Sequence, residues 1–225
     1  MVRFHSSQPD SKMKPADDIL FASVDCLPEL DKEKVAREVL PLVEKYTWYD
    51  DYRHTTMVPL MTKDGLTGRS GASNLRPGEF CWTSFAPTVI VDWFENHVFP
   101  WLGTNARISA LVTKPGVAMN EHIDCNRVEL NSLQHKFRVV VQGETETLYW
   151  LTDKGRVFAP KTDKPFLIDG GWPHGMVNTT DEIKITLALG APWTGKDEYS
   201  DLTILQRRSD YVMPDQIDHL WRKED

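Results

Sequence analysis

From Arg107 to Leu189 the sequence is cut into short apolar or alternating segments, each closed by turn residues, and this cadence restricts the chain to a few all-β arrangements. Residues 107–113 have strand composition and end in the turn Lys114-Pro115-Gly116. In 136–142, Phe137, Val139 and Val141 alternate with Lys136, Arg138, Val140 and Gln142, so one face is apolar and the other mixed. Gly143-Glu144 turns the chain back into 145–151, and further strand-like segments follow at 156–158, 165–168, 175–178 and 183–189. Strands this short, with no helical text between them, suggest a sandwich or barrel, and a jelly roll fits.

The first half reads differently. Residues 19–24 have the composition of an added edge strand. Asp31 is a plausible N-cap for a helix over 32–46, where Val35, Val39, Leu42 and Val43 recur at helical spacing and Pro41 is expected to kink or end it. Periodicity fails over 47–88, which Gly65, Gly68, Gly71, Pro77 and Gly78 punctuate; a segment of this kind is expected to cover a pocket, with His54 in Tyr52-Arg53-His54-Thr55-Thr56 a candidate pocket residue. A second helix is expected over 88–99, with Val89, Trp93, Phe94 and Val98 on one face and Pro100 stopping it. A last amphipathic helix is expected over 214–225, burying Ile217, Leu220 and Trp221. The expected architecture is mainly β with flanking helices in one domain over 1–225. Residues 1–105 supply helical support and pocket-covering loops, 106–190 a jelly roll, and 191–225 an extension with a helix.

The bulk properties set outer bounds. No apolar run approaches the ~18 residues of a membrane span, and 1–14 lack the apolar core of a secretory signal, so a cytoplasmic protein is expected. Cys26, Cys81 and Cys125 are odd in number and form no CxxC pair, which points to free thiols. A net charge of -7 argues against a nucleic-acid substrate. Oligomeric state is not readable.

Chemistry concentrates in Asn120-Glu121-His122-Ile123-Asp124-Cys125-Asn126 and in Gly171-Trp172-Pro173-His174-Gly175. Strand alternation puts His122 and Asp124 on one face while Ile123 enters the wall. With His174 they make two imidazoles and one carboxylate, a set that leaves positions open on a metal and favours ferrous iron, with zinc the main competitor. Lys184 shares a strand face with Thr186 and Ala188, opposite Ile183, Ile185, Leu187 and Leu189. Arg138 stands likewise opposite Phe137, Val139 and Val141. An inward cation needs an anion, and a dicarboxylate cosubstrate supplies one. Trp150 and Trp172 are candidate walls of a substrate pocket, with core packing as their competing role.

The order His122-x-Asp124, then His174, then Lys184 ten residues later, on helices followed by short strands, resembles the iron(II)/2-oxoglutarate-dependent oxygenases with their double-stranded β-helix. The resemblance covers about residues 106–190 and is nearest to the aspartyl/asparaginyl β-hydroxylase-like branch, which includes free amino-acid hydroxylases. It implies Fe(II) on His122, Asp124 and His174, 2-oxoglutarate and O2 as cosubstrates, and hydroxylation of an unactivated C–H bond in a small molecule such as an amino acid, or in a peptide or protein side chain. Where that branch carries Arg-x-His, this chain has Lys136-Phe137-Arg138, and where it commonly carries Arg after the distal histidine, this chain has Lys184. Arg138 and Lys184 are therefore expected to share the distal carboxylate of 2-oxoglutarate. Asp124 fills the position that related halogenases leave small, which disfavours halogenation. The competing expectation is a cupin-like protein that binds zinc, another metal or a small anion without turnover.

Overall fold

The computed structural model describes residues 18–46, 48–50, 55–67, 78–103, 105–124, 135–190 and 201–220. Its strands are β1 (Ile19–Val24), β2 (Trp48–Asp50), β3 (Thr55–Lys63), β4 (Phe80–Trp82), β5 (Ile108–Thr113), β6 (Ala118–His122), β7 (His135–Gln142), β8 (Leu148–Thr152), β9 (Gly155–Phe158), β10 (Phe166–Asp169), β11 (His174–Val177), β12 (Lys184–Leu189) and β13 (Leu202–Arg207). The larger sheet runs β13-β1-β10-β7-β12-β5-β3-β2, with β4 beside β3, and the smaller runs β6-β11-β8-β9. From β5 to β12 the chain passes back and forth between the two sheets, and among the described residues these strands pair antiparallel. This to-and-fro path of eight strands is a double-stranded β-helix, so the expected fold class is the observed one.

Alternation decides what each face of the larger sheet meets. Phe137, Val139 and Val141 on β7 and Ile185, Leu187 and Leu189 on β12 enter a core with Val35 and Val39 of helix α1 (Lys32–Tyr46) and with Ile90, Trp93 and Phe94 of the next helical run. The opposite faces of the same strands look between the sheets. Helix α1 starts where Asp31 Oδ1 accepts the Lys34 N–H at 3.0 Å, and it passes through Pro41 without ending.

Four expectations are corrected. First, β1 is no edge strand: it lies between β13 and β10 with all six residues buried. Second, the 47–88 segment contains β2, β3 and β4. Its longest strand, β3, is buried along most of its length and carries Pro59 at a register shift against β5, so it shows neither the two-residue alternation nor the clean composition that marks a strand. Third, the second helix does not stop at Pro100. It runs as α2 (Thr88–Trp93), a π-helical turn Phe94–Val98 and α3 (Phe99–Leu102), then ends at Gly103 with φ 72°. Pro100 sits in the first turn of α3, where its missing N–H costs least. Fourth, the C-terminal segment forms β13, and among the described residues of 214–225 the only helical piece is a 3-10 turn at Asp218–Leu220. Ile217 and Leu220 are buried there as expected, and Trp221 lies outside the described residues. Among the described residues no helix is long and apolar enough to cross a membrane.

Candidate metal centre

Two strands of the smaller sheet bring the histidines together. β6 and β11 are antiparallel neighbours in which His122 and His174 are direct partners, and the next pair is Met119 with Met176. Three residues of β6 thus span two of β11, a bulge that turns both Met119 and His122 toward the space between the sheets despite their odd spacing. β6 ends at His122, so Asp124 is not carried by a strand. The Ile123 N–H donates to Leu220 O at 2.8 Å, and the Asp124 N–H donates to Gly170 O at 2.9 Å. The Ile123 side chain packs with Ile217 and Leu220 while Asp124 points inward. The outcome that strand alternation suggested is reached here by two anchoring hydrogen bonds.

His174 is set by a tight approach. The Gly171 N–H donates to Asp169 Oδ1 at 2.8 Å and the Leu151 N–H to Pro173 O at 2.9 Å, fixing the turn before β11. A Cβ on Gly175 would lie 2.6 Å from the Tyr149 hydroxyl oxygen, so only glycine lets β11 pack this closely after His174.

The three side chains converge. Asp124 Oδ1 lies 3.5 Å from His122 Nε2, and Asp124 Oδ2 lies 3.6 Å from His174 Nε2. One ligating atom from each residue falls within 4.8 Å of the others, and all three residues are buried. A carbonyl only accepts, so the Nδ1–H groups of His122 and His174 donate to Asn120 O at 2.7 Å and Trp172 O at 2.8 Å. Both Nε2 lone pairs are thereby presented toward the carboxylate, the orienting arrangement that metal-bound imidazoles use. Burial, followed by the neighbouring His122, pushes His174 down to about 3, so it stays neutral and able to ligate. Burial alone would raise the Asp124 carboxyl, but the Lys136 ammonium beside it holds it well below its ordinary value. Metal bonds of about 2.1 Å at near right angles put neighbouring ligand atoms about 3 Å apart, so a small contraction of this set fits a divalent ion.

The cavity around this centre is lined by alternate residues of the larger sheet: Ser109, Leu111 and Thr113 of β5, Lys136, Arg138 and Val140 of β7, and Lys184, Thr186 and Ala188 of β12. Lys184 marks one end. Its ammonium donates to Glu144 O and to Thr147 Oγ1, and burial pushes it down to about 8 against the opposing pull of Glu146 and Glu144. Gly143, with φ 95°, is needed for the turn and leaves room for the lysine stem. Arg138 lies across from Ala188 and Phe166, and its Nη1 donates to Phe137 O and Leu189 O, each at 3.1 Å. Lys184 and Ala188 are about 13 Å apart along β12; both cations line the same cavity, and Arg138 Nη2 also lies 3.8 Å from Asp124 Oδ2.

Other expected pocket residues fall elsewhere. Trp150 and Trp172 belong to a packed cluster with Phe21, Phe166 and Ile168, and neither lines the cavity. Their service is to His174: Trp150 is its strand partner on β8, and Trp172 supplies the carbonyl that orients its ring. His54 lies outside the described residues. Two cations were missed. Lys136 Nζ is 2.9 Å from Asp124 Oδ2, and half-buried Arg107 lines the cavity just before β5. Alternation held the signal for both, since Lys136 shares a face with Arg138 and Arg107 shares one with Ser109 and Leu111.

No family model and no curated protein matches the chain. Among solved structures it is similar to a Pseudomonas putida prolyl-4-hydroxylase, at 11% identity over 76% of this chain and 90% of that one, with a TM-score of 0.47. It is also similar to SnoK, a non-heme α-ketoglutarate-dependent carbocyclase from nogalamycin biosynthesis, at 13% identity over 90% and 86%, with a TM-score of 0.47. A third is HygX from Streptomyces hygroscopicus, solved with nickel and 2-oxoglutarate bound, at 12% identity over 87% and 96%, with a TM-score of 0.45. Likenesses this distant leave the function to be read from this chain's own side chains.

Proposed function

We propose that the chain is an Fe(II)- and 2-oxoglutarate-dependent dioxygenase that hydroxylates an unactivated C–H bond of an amino acid or of a peptide or protein side chain. The observation that carries this reading is the meeting, in one cavity, of the buried His122, Asp124 and His174 with the buried Lys184. When bound, ferrous iron with 2-oxoglutarate and O2 supplies the oxidising power: one oxygen atom enters the C–H bond as hydroxyl, the other enters succinate, and CO2 leaves.

The chain's own residues bind and orient. His122 Nε2, His174 Nε2 and the Asp124 carboxylate would hold the metal, with each ring fixed through its Nδ1–H. Lys184, already beside Thr147 Oγ1, would grip the distal carboxylate of 2-oxoglutarate. Leu111, Leu148 and Met176 line the same cavity and keep water from the reacting groups. The spacing of His122, Asp124, His174 and Lys184 supports the aspartyl/asparaginyl β-hydroxylase-like branch as the source of the resemblance.

The test is direct. Purified protein given Fe(II), 2-oxoglutarate and oxygen should release succinate, and His174→Ala should lose both bound iron and succinate. Tight zinc binding with no succinate under any condition would instead identify a metal-binding protein without turnover.

A further inference from the structure

We propose that Arg208, in the C-terminal segment, is a positioning residue of the metal centre: it balances the buried Asp169 carboxylate and so holds the 169–173 turn that sets two of the three ligands. The proposal rests on the metal centre of the oxygenase reading and extends that centre to a residue outside the β-helix.

What the turn carries is the first observation. Gly170 O accepts the Asp124 N–H at 2.9 Å, and Trp172 O accepts the His174 Nδ1–H at 2.8 Å. A shift of this turn therefore displaces a carboxylate and an imidazole together. His122 is set separately, through Asn120 O.

What holds the turn is the second. Asp169 Oδ1 accepts the Gly171 N–H at 2.8 Å, and its carbonyl accepts the Trp172 N–H at 3.4 Å. The Asp169 side chain is fully buried, and its Oδ2 has no hydrogen-bond partner among the described residues. A carboxylate in that state is costly to bury unless a cation stands beside it. Arg208 Nη1 stands 3.2 Å from Oδ2. The same guanidinium lies over the Trp172 ring, 5.4 Å from its centroid. One side chain thus braces the first residue of the turn and the residue whose carbonyl orients His174.

The third observation is that Arg208 is itself fixed in place. It opens a 3-10 turn, Arg208–Asp210, directly after β13. Both of its neighbours are tied to Asp18: Arg207 Nη1 and Ser209 Oγ donate to Oδ2 at 3.2 and 3.0 Å, and the Ser209 N–H donates to Oδ1 at 2.9 Å. The Arg207 side chain is 48% exposed in this tie, whereas Arg208 turns inward at 27%. Tyr211 and Met213 pack against the cluster that contains Trp172. Support of this kind is what keeps ligand geometry firm.

Cobalt(II) is the probe, titrated into metal-free protein and followed by its visible bands, without cosubstrate or turnover. Arg208→Met should bind it about 10–100-fold more weakly, the usual cost of removing an outer partner of a metal site. Arg208→Lys keeps the charge and should recover part of the loss, and Arg207→Met should bind as the parent does. Leu187→Ala, a buried change on the helix-facing side of β12, gives the loss that destabilisation alone produces. In metal-free protein labelled with 15N-histidine, the His174 Nδ1–H should exchange faster with solvent in Arg208→Met while that of His122 is unmoved. Should the lone carboxylate prevent folding, Arg208→Met combined with Asp169→Asn removes the charge and keeps an oxygen for the Gly171 N–H; this double variant should fold and bind cobalt(II) close to the parent value. Metal affinity in Arg208→Met that equals the parent's, or falls no further than in Leu187→Ala, would overturn the proposal, as would a double variant that folds but binds cobalt(II) weakly. A parent protein that binds no cobalt(II) would remove the metal centre, and with it the oxygenase reading; a parent that binds it beside unaffected variants would remove the role of Arg208 alone.

Discussion

Lys184→Met separates what this lysine costs the fold from what it gives the site. The side chain is 3% exposed, and burial moves its ammonium from an ordinary 10.5 to about 8. That displacement corresponds to about 3 kcal/mol of disfavoured charge in the folded protein. Because the folded value lies below the unfolded one, the unfolded chain binds more protons between them. The penalty is therefore full below pH 8 and fades as pH rises toward 10.5. Methionine of similar length removes it and loses the hydrogen bonds to Glu144 O and Thr147 Oγ1, worth about 1 kcal/mol each. Thr147 Oγ1 keeps a partner, since it also donates to Glu144 O at 2.9 Å. The net expectation is a gain of about 1 kcal/mol at pH 7, or about 2–4 °C in Tm. Affinity for 2-oxoglutarate should move the other way, falling about 10–100-fold with the loss of a charged hydrogen bond. In the unsubstituted protein that affinity should also fall above pH 8, by up to about tenfold per pH unit, and the slope should vanish in the variant. Urea unfolding and anaerobic calorimetry at pH 7 and 9 measure both quantities. A variant that is destabilised by several kcal/mol yet binds 2-oxoglutarate normally would refute the reasoning, because Lys184 would then be a structural cation.

Three further outcomes follow from the centre. Ile123→Ala should destabilise by about 2–5 kcal/mol as a buried large-to-small change, and it should lower metal affinity more than Leu187→Ala does, since Ile123 locks the link between His122 and Asp124; paired unfolding and metal titrations check this. Gly175→Ala should cost stability and metal binding, because Tyr149 is held by Glu121 at 3.2 Å and by the Arg156 guanidinium over its ring, and Tyr149→Leu in the same chain should recover part of both. The metal-free protein should lose about 2 kcal/mol between pH 7 and pH 5 through His174 alone, whose folded value of about 3 lies below its unfolded 6.5, so that the unfolded chain takes up the proton first; His174→Gln should flatten this part of the denaturation profile.

How far the sequence reveals this molecule depends on which faces a segment buries. β7 and β12 were legible down to single residues, because one face of each packs on helices and the other lines a polar cavity, so apolar and polar residues alternate cleanly. β3 was not, because nearly every residue of Thr55–Lys63 is buried and Pro59 interrupts the text. β13 was overlooked for a different reason: it is a half-exposed edge strand whose partner, β1, is nearly two hundred residues away in sequence, and edge strands carry little periodic signal.

The centre shows the same division. The sequence offers His122 and His174 together as candidate ligands through the family resemblance, and in the fold they are direct partners on β6 and β11. What spacing could not show is why Asp124 joins them, since its position depends on Gly170 O and on Leu220 O, one turn before the distal histidine and one near the far end of the chain. The C-terminal segment is thus part of the frame of the centre and not an appendage to the β-helix. Removing residues from Ile217 onward should therefore lower metal affinity before it abolishes the fold, because it deletes the acceptor for Ile123 and two of the three side chains in its small cluster while leaving both sheets intact. Metal titration of that truncated chain beside circular dichroism checks the order of losses. A truncation that keeps full metal affinity would show that Gly170 O alone sets Asp124.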